Sequence, residues 1–77
     1  MNIFMHIMGN NIEEQIDDLI LKLQSERIKK EITQQELAMI TGVPVTTISD
    51  IEHYAIKPSL EDIVKISVAL DISIRVN

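Results

Sequence analysis

Apolar positions recur along this chain with two periods, and the change from one to the other divides it into elements. From Ile12 the spacing is helical: Ile12, Ile16, Leu19, Ile20 and Leu23 share a stripe, Asn11 can cap it, and the helix is predicted to run to about Lys30. Thr33 followed by Glu36 forms a capping box, in which the hydroxyl accepts from the N3 amide while the carboxylate reaches back to the cap amide, so a second helix starts there. Gly42 supplies the left-handed residue that ends it, and Pro44, whose φ suits a first helical turn, opens a third helix. Leu37, Ala38, Ile48 and Ile51 turn to a common interior, with the small Ala38 allowing close approach, and Val45, Thr46, Ser49 and Asp50 are left facing outward. Ser59 with Asp62 caps a fourth helix over about 60–70, where Leu60, Ile63, Val64, Ile66, Val68 and Leu70 give a broad apolar face.

At the two ends the period drops to two. Ile3, Met5 and Ile7 alternate with Asn2, Phe4 and His6 until Gly9-Asn10-Asn11 interrupts, and the tail from Asp71 to Asn77 alternates β-branched and polar residues. The amino end reads equally as a frayed terminus. The pattern predicts one all-α domain over residues 1–77, with four to five helices and short terminal β-strands as candidates. Its parts are an extension over 1–11, a helix-turn-helix over 33–52 and a strand over 72–76. No repeat, linker or low-complexity tract interrupts it.

With 77 residues the chain holds a single core, large enough to fold without staples. It has no cysteine, which suits a reducing cytoplasm, and no apolar run of membrane-spanning length; the start from Met1 to Met8 lacks the basic and small-residue flanks of a signal peptide. A cytoplasmic protein without a membrane partner is expected. The net charge of −5 runs against general nucleic-acid affinity, which is carried by a basic face that releases counterions. The charge is unevenly spread, however. Glu13, Glu14, Asp17 and Asp18 crowd the start of the first helix, where its dipole favours them, while Lys22, Arg27, Lys29 and Lys30 follow in the second half. A local basic edge and an ordinary solvated helix face account for that split about equally well.

Nothing in the chain assembles a catalytic centre. His6 and His53 are the only histidines, neither stands at metal-ligand spacing from another candidate, and there is no phosphate-cradling glycine loop or nucleophile elbow. No enzyme activity, cofactor or metal is expected.

The string T-Q-Q-E-L-A-x-x-T-G-V-x-x-x-T-I-S-x-I-E over residues 33–52 resembles the Cro and phage-repressor helix-turn-helix family, the xenobiotic-response-element (XRE) type, and the likeness extends over roughly residues 16–72. That resemblance implies a small sequence-specific DNA-binding regulator; some members are antitoxins that also hold a partner protein. It implies a structural salt bridge between Arg27 and Glu52, locking the first helix against the third. It places the third helix in the major groove, with Val45, Thr46, Thr47 and Asp50 facing bases or adjacent phosphates, Gln34 clamping phosphate, and His53 and Lys57 on the flanking backbone. By their chemistry Thr46, Thr47 and Ser49 can serve base edges or phosphates, Val45 can pack on a thymine methyl, and ionised Asp50 can only accept, as from a cytosine amino group. The bland alternative makes Thr46, Thr47 and Ser49 plain solvent-facing residues.

The departures from the family pattern carry expectations of their own. Val45 and Asp50 stand where arginine or glutamine is common, so a monomer should bind DNA weakly. Tyr54 stands where the family has a left-handed glycine, so either the backbone is strained there or the third helix runs longer. Many members have a further helix where this chain has its alternating tail. Met39 and Ile40 replace exposed polar residues and, with Ile56 and the apolar amino end, suggest a surface for a protein partner such as a toxin, although scattered surface apolars are common. A homodimer is expected, because one such domain contacts too few bases and two-fold operators match two-fold proteins. The terminal strands are its candidate interface, and the alternative is that they cover the core of a monomer.

Overall fold

The computed structural model describes residues 11–72, which form four helices: α1 (Ile12–Lys29), α2 (Gln34–Thr41), α3 (Val45–Glu52) and α4 (Leu60–Ala69). The candidate strands at Asn2–Ile7 and beyond Ile72, and His6 with them, lie outside the described residues. The described part is all-α, with no strand.

Three of the four helices begin on a residue whose side chain caps them. Asn11 Oδ1 accepts from the Glu14 amide at 2.8 Å, and Ser59 Oγ accepts from that of Asp62 at 3.1 Å. At α2 the capping box is complete: Thr33 Oγ1 accepts from the Glu36 amide and Glu36 Oε1 accepts from the Thr33 amide, both at 3.0 Å. These bonds hold the Glu36 carboxyl below its ordinary pKa. Pro44 departs from the expected place. It is the cap of α3 itself, with extended ψ of 141° and no side-chain cap bond, and its carbonyl accepts the first helical bond, from the Ile48 amide.

Helix ends are where the backbone departs most from easy geometry. α2 ends on Gly42 at φ 77°, but Glu31, Tyr54 and Asp71 hold left-handed φ values of 58°, 59° and 56° without being glycine. After α1, α3 and α4 the next amides fold back in the same paired way, as where Tyr54 N–H donates to Ile51 O and Ala55 N–H to Asp50 O. The longer third helix is therefore not what forms: α3 stops at Glu52, and Tyr54 takes the left-handed conformation with its side chain about half exposed. Two carbonyls that would otherwise lack partners are satisfied in this way, which outweighs a steric cost of about 1 kcal/mol. Glu31→Gly, at an exposed position, should accordingly raise stability by about 1 kcal/mol, read as a higher urea midpoint at unchanged slope.

The core is aliphatic throughout: Ile20 and Leu23 of α1, Leu37 of α2, Val43 of the turn, Ile48 and Ile51 of α3, and Ile63, Ile66 and Leu70 at α4. Ala38, Ile16, Leu19, Ile32, Ala69 and Ile72 pack around it. α2 sits centrally, against both α3 and α4, and α1 packs on α3. The broad apolar face expected of α4 is narrower than its sequence suggests. Ile63, Ile66 and Leu70 are buried, while Leu60, Val64 and Val68 lie on the neighbouring stripe and are exposed, because a single helix can turn only one arc of its surface to the core.

Among the described residues one buried side-chain polar atom is unmatched. Ser67 is 2 % exposed, and its Oγ has no hydrogen-bond partner. Ser67→Ala removes a desolvated hydroxyl and leaves almost no void, so it should leave stability unchanged or raise it by up to about 1 kcal/mol in thermal melts.

Candidate nucleic-acid interface

α3 is positioned by a buried ionic hub. Arg27 Nε donates to Glu52 Oε2 at 2.7 Å and Nη2 donates to Oε1 at 2.8 Å, a two-bond clasp whose side chains are 11 % and 6 % exposed. The third arm of the guanidinium, Nη1, donates to Ile32 O at 2.7 Å, and Gln34 Nε2 donates to Glu52 Oε1 at 3.0 Å. The carboxylate at the end of α3 thus joins α1 and the first residue of α2, and the guanidinium it holds ties in the α1–α2 connection. Burial alone would raise the Glu52 carboxyl, but the Arg27 and Gln34 bonds, the guanidinium charge and a Gln24 bond together hold it below the ordinary range. The α2–α3 turn has its own tie. Thr41 Oγ1 donates to Leu37 O at 2.7 Å and accepts from the Val43 amide at 3.1 Å, so a single hydroxyl closes the end of α2 and orients the entry to α3.

On the outer side of α3, Thr46 and Asp50 are exposed, and Val45, Thr47 and Ser49 are half-buried. The five residues share one short helix, but their access to a ligand is unequal. His53 caps the helix; its Nδ1 lies 2.7 Å from Ser49 O and 3.4 Å from Ser49 Oγ, a contact to the carbonyl that requires the proton on Nδ1. Gln34 turns its amide nitrogen inward onto Glu52, so any phosphate contact from this side chain must use the second amide hydrogen.

Lys57, in the loop after α3, reaches across to α1. Its Nζ donates to Glu13 Oε1 at 2.6 Å, an ion pair with both side chains about two-thirds exposed. The pair lines an open cleft of about 210 Å³ together with Ile16, Asp17, Ile20, Tyr54, Ala55 and Ile56. The acidic start of α1 therefore faces the loop that carries Lys57, so the side beside α3 is less basic than Lys57 alone would make it. Lys30 closes the opposite end of the domain, donating to Leu70 O at 2.7 Å and to Glu26 Oε2 at 3.1 Å, where a cation meets the carbonyl end of α4.

The sequence pattern does not single out Gln24, Thr41, the Glu13–Lys57 pair or the Lys30–Leu70 contact. Only Thr41 offers a local signal, as a hydroxyl one turn after Leu37; the others are long-range meetings that spacing does not encode. Met39 is 84 %, Ile40 60 % and Ile56 42 % exposed, the last of these lining the cleft beside α1. Among the described residues no three acidic or histidine side chains converge as a metal-binding group, and no helix is long and apolar enough to cross a membrane.

No curated protein and no solved structure matches the chain significantly. A family model described as helix-turn-helix matches residues 23–77, which include the whole hub, the turn and α3. With the capped α2, the glycine turn, the clasped α3 and a match over more than half its length, the chain belongs to the helix-turn-helix family of the Cro and phage-repressor (XRE) type, a family of DNA-binding regulators.

Proposed function

We propose that the protein is a cytoplasmic transcriptional regulator that binds a palindromic operator as a homodimer, with α3 in the major groove. The observation that carries this reading is the clasp at Glu52, which holds α3 rigid while leaving Thr46 and Asp50 exposed on its outer side. Thr46, Thr47 and Ser49 supply hydroxyls for base edges or phosphates, Val45 packs on a thymine methyl, Gln34, His53 and Lys57 contact the flanking backbone, and the Asp50 carboxylate opposes the phosphates beside it. Selection from random duplex DNA tests it: the expected product is a two-fold-symmetric sequence, and a pool with no enriched sequence defeats the reading. On the selected site, Thr46→Ala should relax preference at one base pair by about 1–3 kcal/mol in competition binding. Asp50→Asn separates two roles. It should tighten binding to all sequences by removing repulsion from phosphate, whereas a fall in affinity makes Asp50 a base reader.

A second reading is that the domain is an antitoxin or interaction module, with the helix-turn-helix as scaffold. The net charge of −5 and the exposed Met39 and Ile40 favour it. Co-expression with the product of a neighbouring toxin-like reading frame discriminates the two: retention of a complex that Met39→Lys abolishes supports the second reading.

A further inference from the structure

α1 and α2 also expose apolar side chains, Ile12, Leu21, Ile28, Met39 and Ile40, but those of α4 stand in one continuous line. Leu60, Val64 and Val68 recur at every fourth residue, so they stack along one line of the helix for about 12 Å. They are 78 %, 45 % and 73 % exposed. Together they present on the order of 300 Å² of apolar surface, at the size where a patch on a small protein becomes a contact site. Glu61 and Lys65 border the stripe along one flank and are joined by an i,i+4 ion pair at 3.0 Å. α2 lies between this helix and α3, so the stripe is separate from the outer face of α3.

We infer that this stripe is the homodimer interface, formed by α4 crossing its copy antiparallel about a two-fold axis at Val64. The inference rests on the homodimer reading above and names the surface that makes it. Two features identify a second copy of this chain as the occupant. The stripe is symmetric about its centre, so an antiparallel partner brings Leu60 of one copy onto Val68 of the other and Val64 onto Val64, with each large side chain opposite a smaller one. The bordering charges are self-complementary. A two-fold axis perpendicular to both helices keeps each charged flank on the same side, so Glu61 of one copy lies about one turn or less from Lys65 of the other, twice per dimer. A partner carrying a single sign of charge would be repelled by one of the two.

The area also sets the strength. Two stripes bury about 600 Å² between them and the flanking charges add roughly 300 Å², which leaves the contact below the range of about 1,200–2,000 Å² for stable specific interfaces. A weak dimer follows, with dissociation in the micromolar range, which a shared operator would stabilise by bringing two copies together.

Sedimentation equilibrium of the full chain without DNA, from about 1 to about 500 µM, tests this. Mass should rise from monomer to dimer across that range. Val68→Glu and, separately, Val64→Glu should leave a monomer at every concentration while far-UV circular dichroism and the melting curve stay near wild type, since both positions face solvent. Glu61→Lys or Lys65→Glu alone should weaken the dimer several-fold, and the double exchange E61K/K65E should restore it. A wild-type monomer at the highest concentration overturns the proposal, and so does a dimer indifferent to Val64→Glu and Val68→Glu, or single charge reversals that the double exchange does not rescue. Because mass is the readout, failure of the DNA-binding reading would show in the selection experiment and leave this result untouched.

Discussion

Arg27→Ala should lower the melting temperature of the domain by roughly 12–24 °C. The substitution leaves Glu52 ionised in a pocket only 6 % exposed, strips Ile32 O of its donor, and leaves Gln34 as a neutral partner to a full charge. Removing one partner of a buried pair costs about 3 kcal/mol or more, and in a domain of this size each kcal/mol moves the midpoint by about 4–8 °C. The intact pair need not add much net stability; the loss comes from the uncompensated charge.

The pH dependence distinguishes that cause from a packing defect. The folded-state pKa of Glu52 lies below its ordinary value, so its contribution is present above the unfolded-state pKa and is lost as pH falls through the folded one. In Arg27→Ala the burial that raises the carboxyl is unopposed by the guanidinium, so Glu52 takes up a proton more readily and the penalty shrinks. The gap between wild type and variant in urea midpoint should therefore be widest near neutral pH and narrow steadily into the acid range. A gap that stays constant with pH would assign the loss to the packing of the arginine stem instead.

The second large effect concerns the Glu13–Lys57 pair. If Lys57 serves a phosphate, it must leave the Glu13 carboxylate to do so, and the two substitutions then act in opposite directions. Lys57→Ala should weaken binding to every duplex by about tenfold at low salt and flatten the dependence of log K on log salt by about 0.9 of a unit, as expected when one fewer phosphate is neutralised. Glu13→Gln releases the same lysine and removes a negative charge nearby, so it should tighten binding to all sequences with little change in preference. Filter-binding titrations at several salt concentrations measure both. If Glu13→Gln has no effect while Lys57→Ala weakens binding, the ion pair does not compete with DNA. Neither exchange should move the melting temperature much, since an exposed pair contributes about 0–1 kcal/mol.

Local grammar made most of the fold legible. Asn11, Thr33 and Ser59 announce three helix starts through bonds that span three residues, and Gly42 announces one helix end through its own φ, so no distant part of the chain is needed to read them. Periodicity likewise separates Leu37, Ile48 and Ile51 from the residues beside them. The family pattern over residues 33–52, with its outlying arginine, named both partners of the ionic hub, although not the two-bond geometry or the participation of Gln34.

What only the tertiary structure decided is where competing local choices had comparable cost. Tyr54 had two routes, a longer helix or a left-handed turn, and the second prevails because the returning chain satisfies carbonyls that the first would leave open. Along α4 every apolar residue looks equally suited to the core by hydropathy; packing against α2 determines that Ile63, Ile66 and Leu70 enter and that Leu60, Val64 and Val68 remain outside. The Glu13–Lys57 and Lys30–Leu70 contacts join residues 44 and 40 positions apart. Sequence alone therefore determined the four helices, the side-chain caps of three of them and the glycine that ends α2, because those bonds lie within a turn or two of the chain. Which apolar stripe is buried and which charges meet were left to the fold, because they depend on the direction in which one helix crosses another.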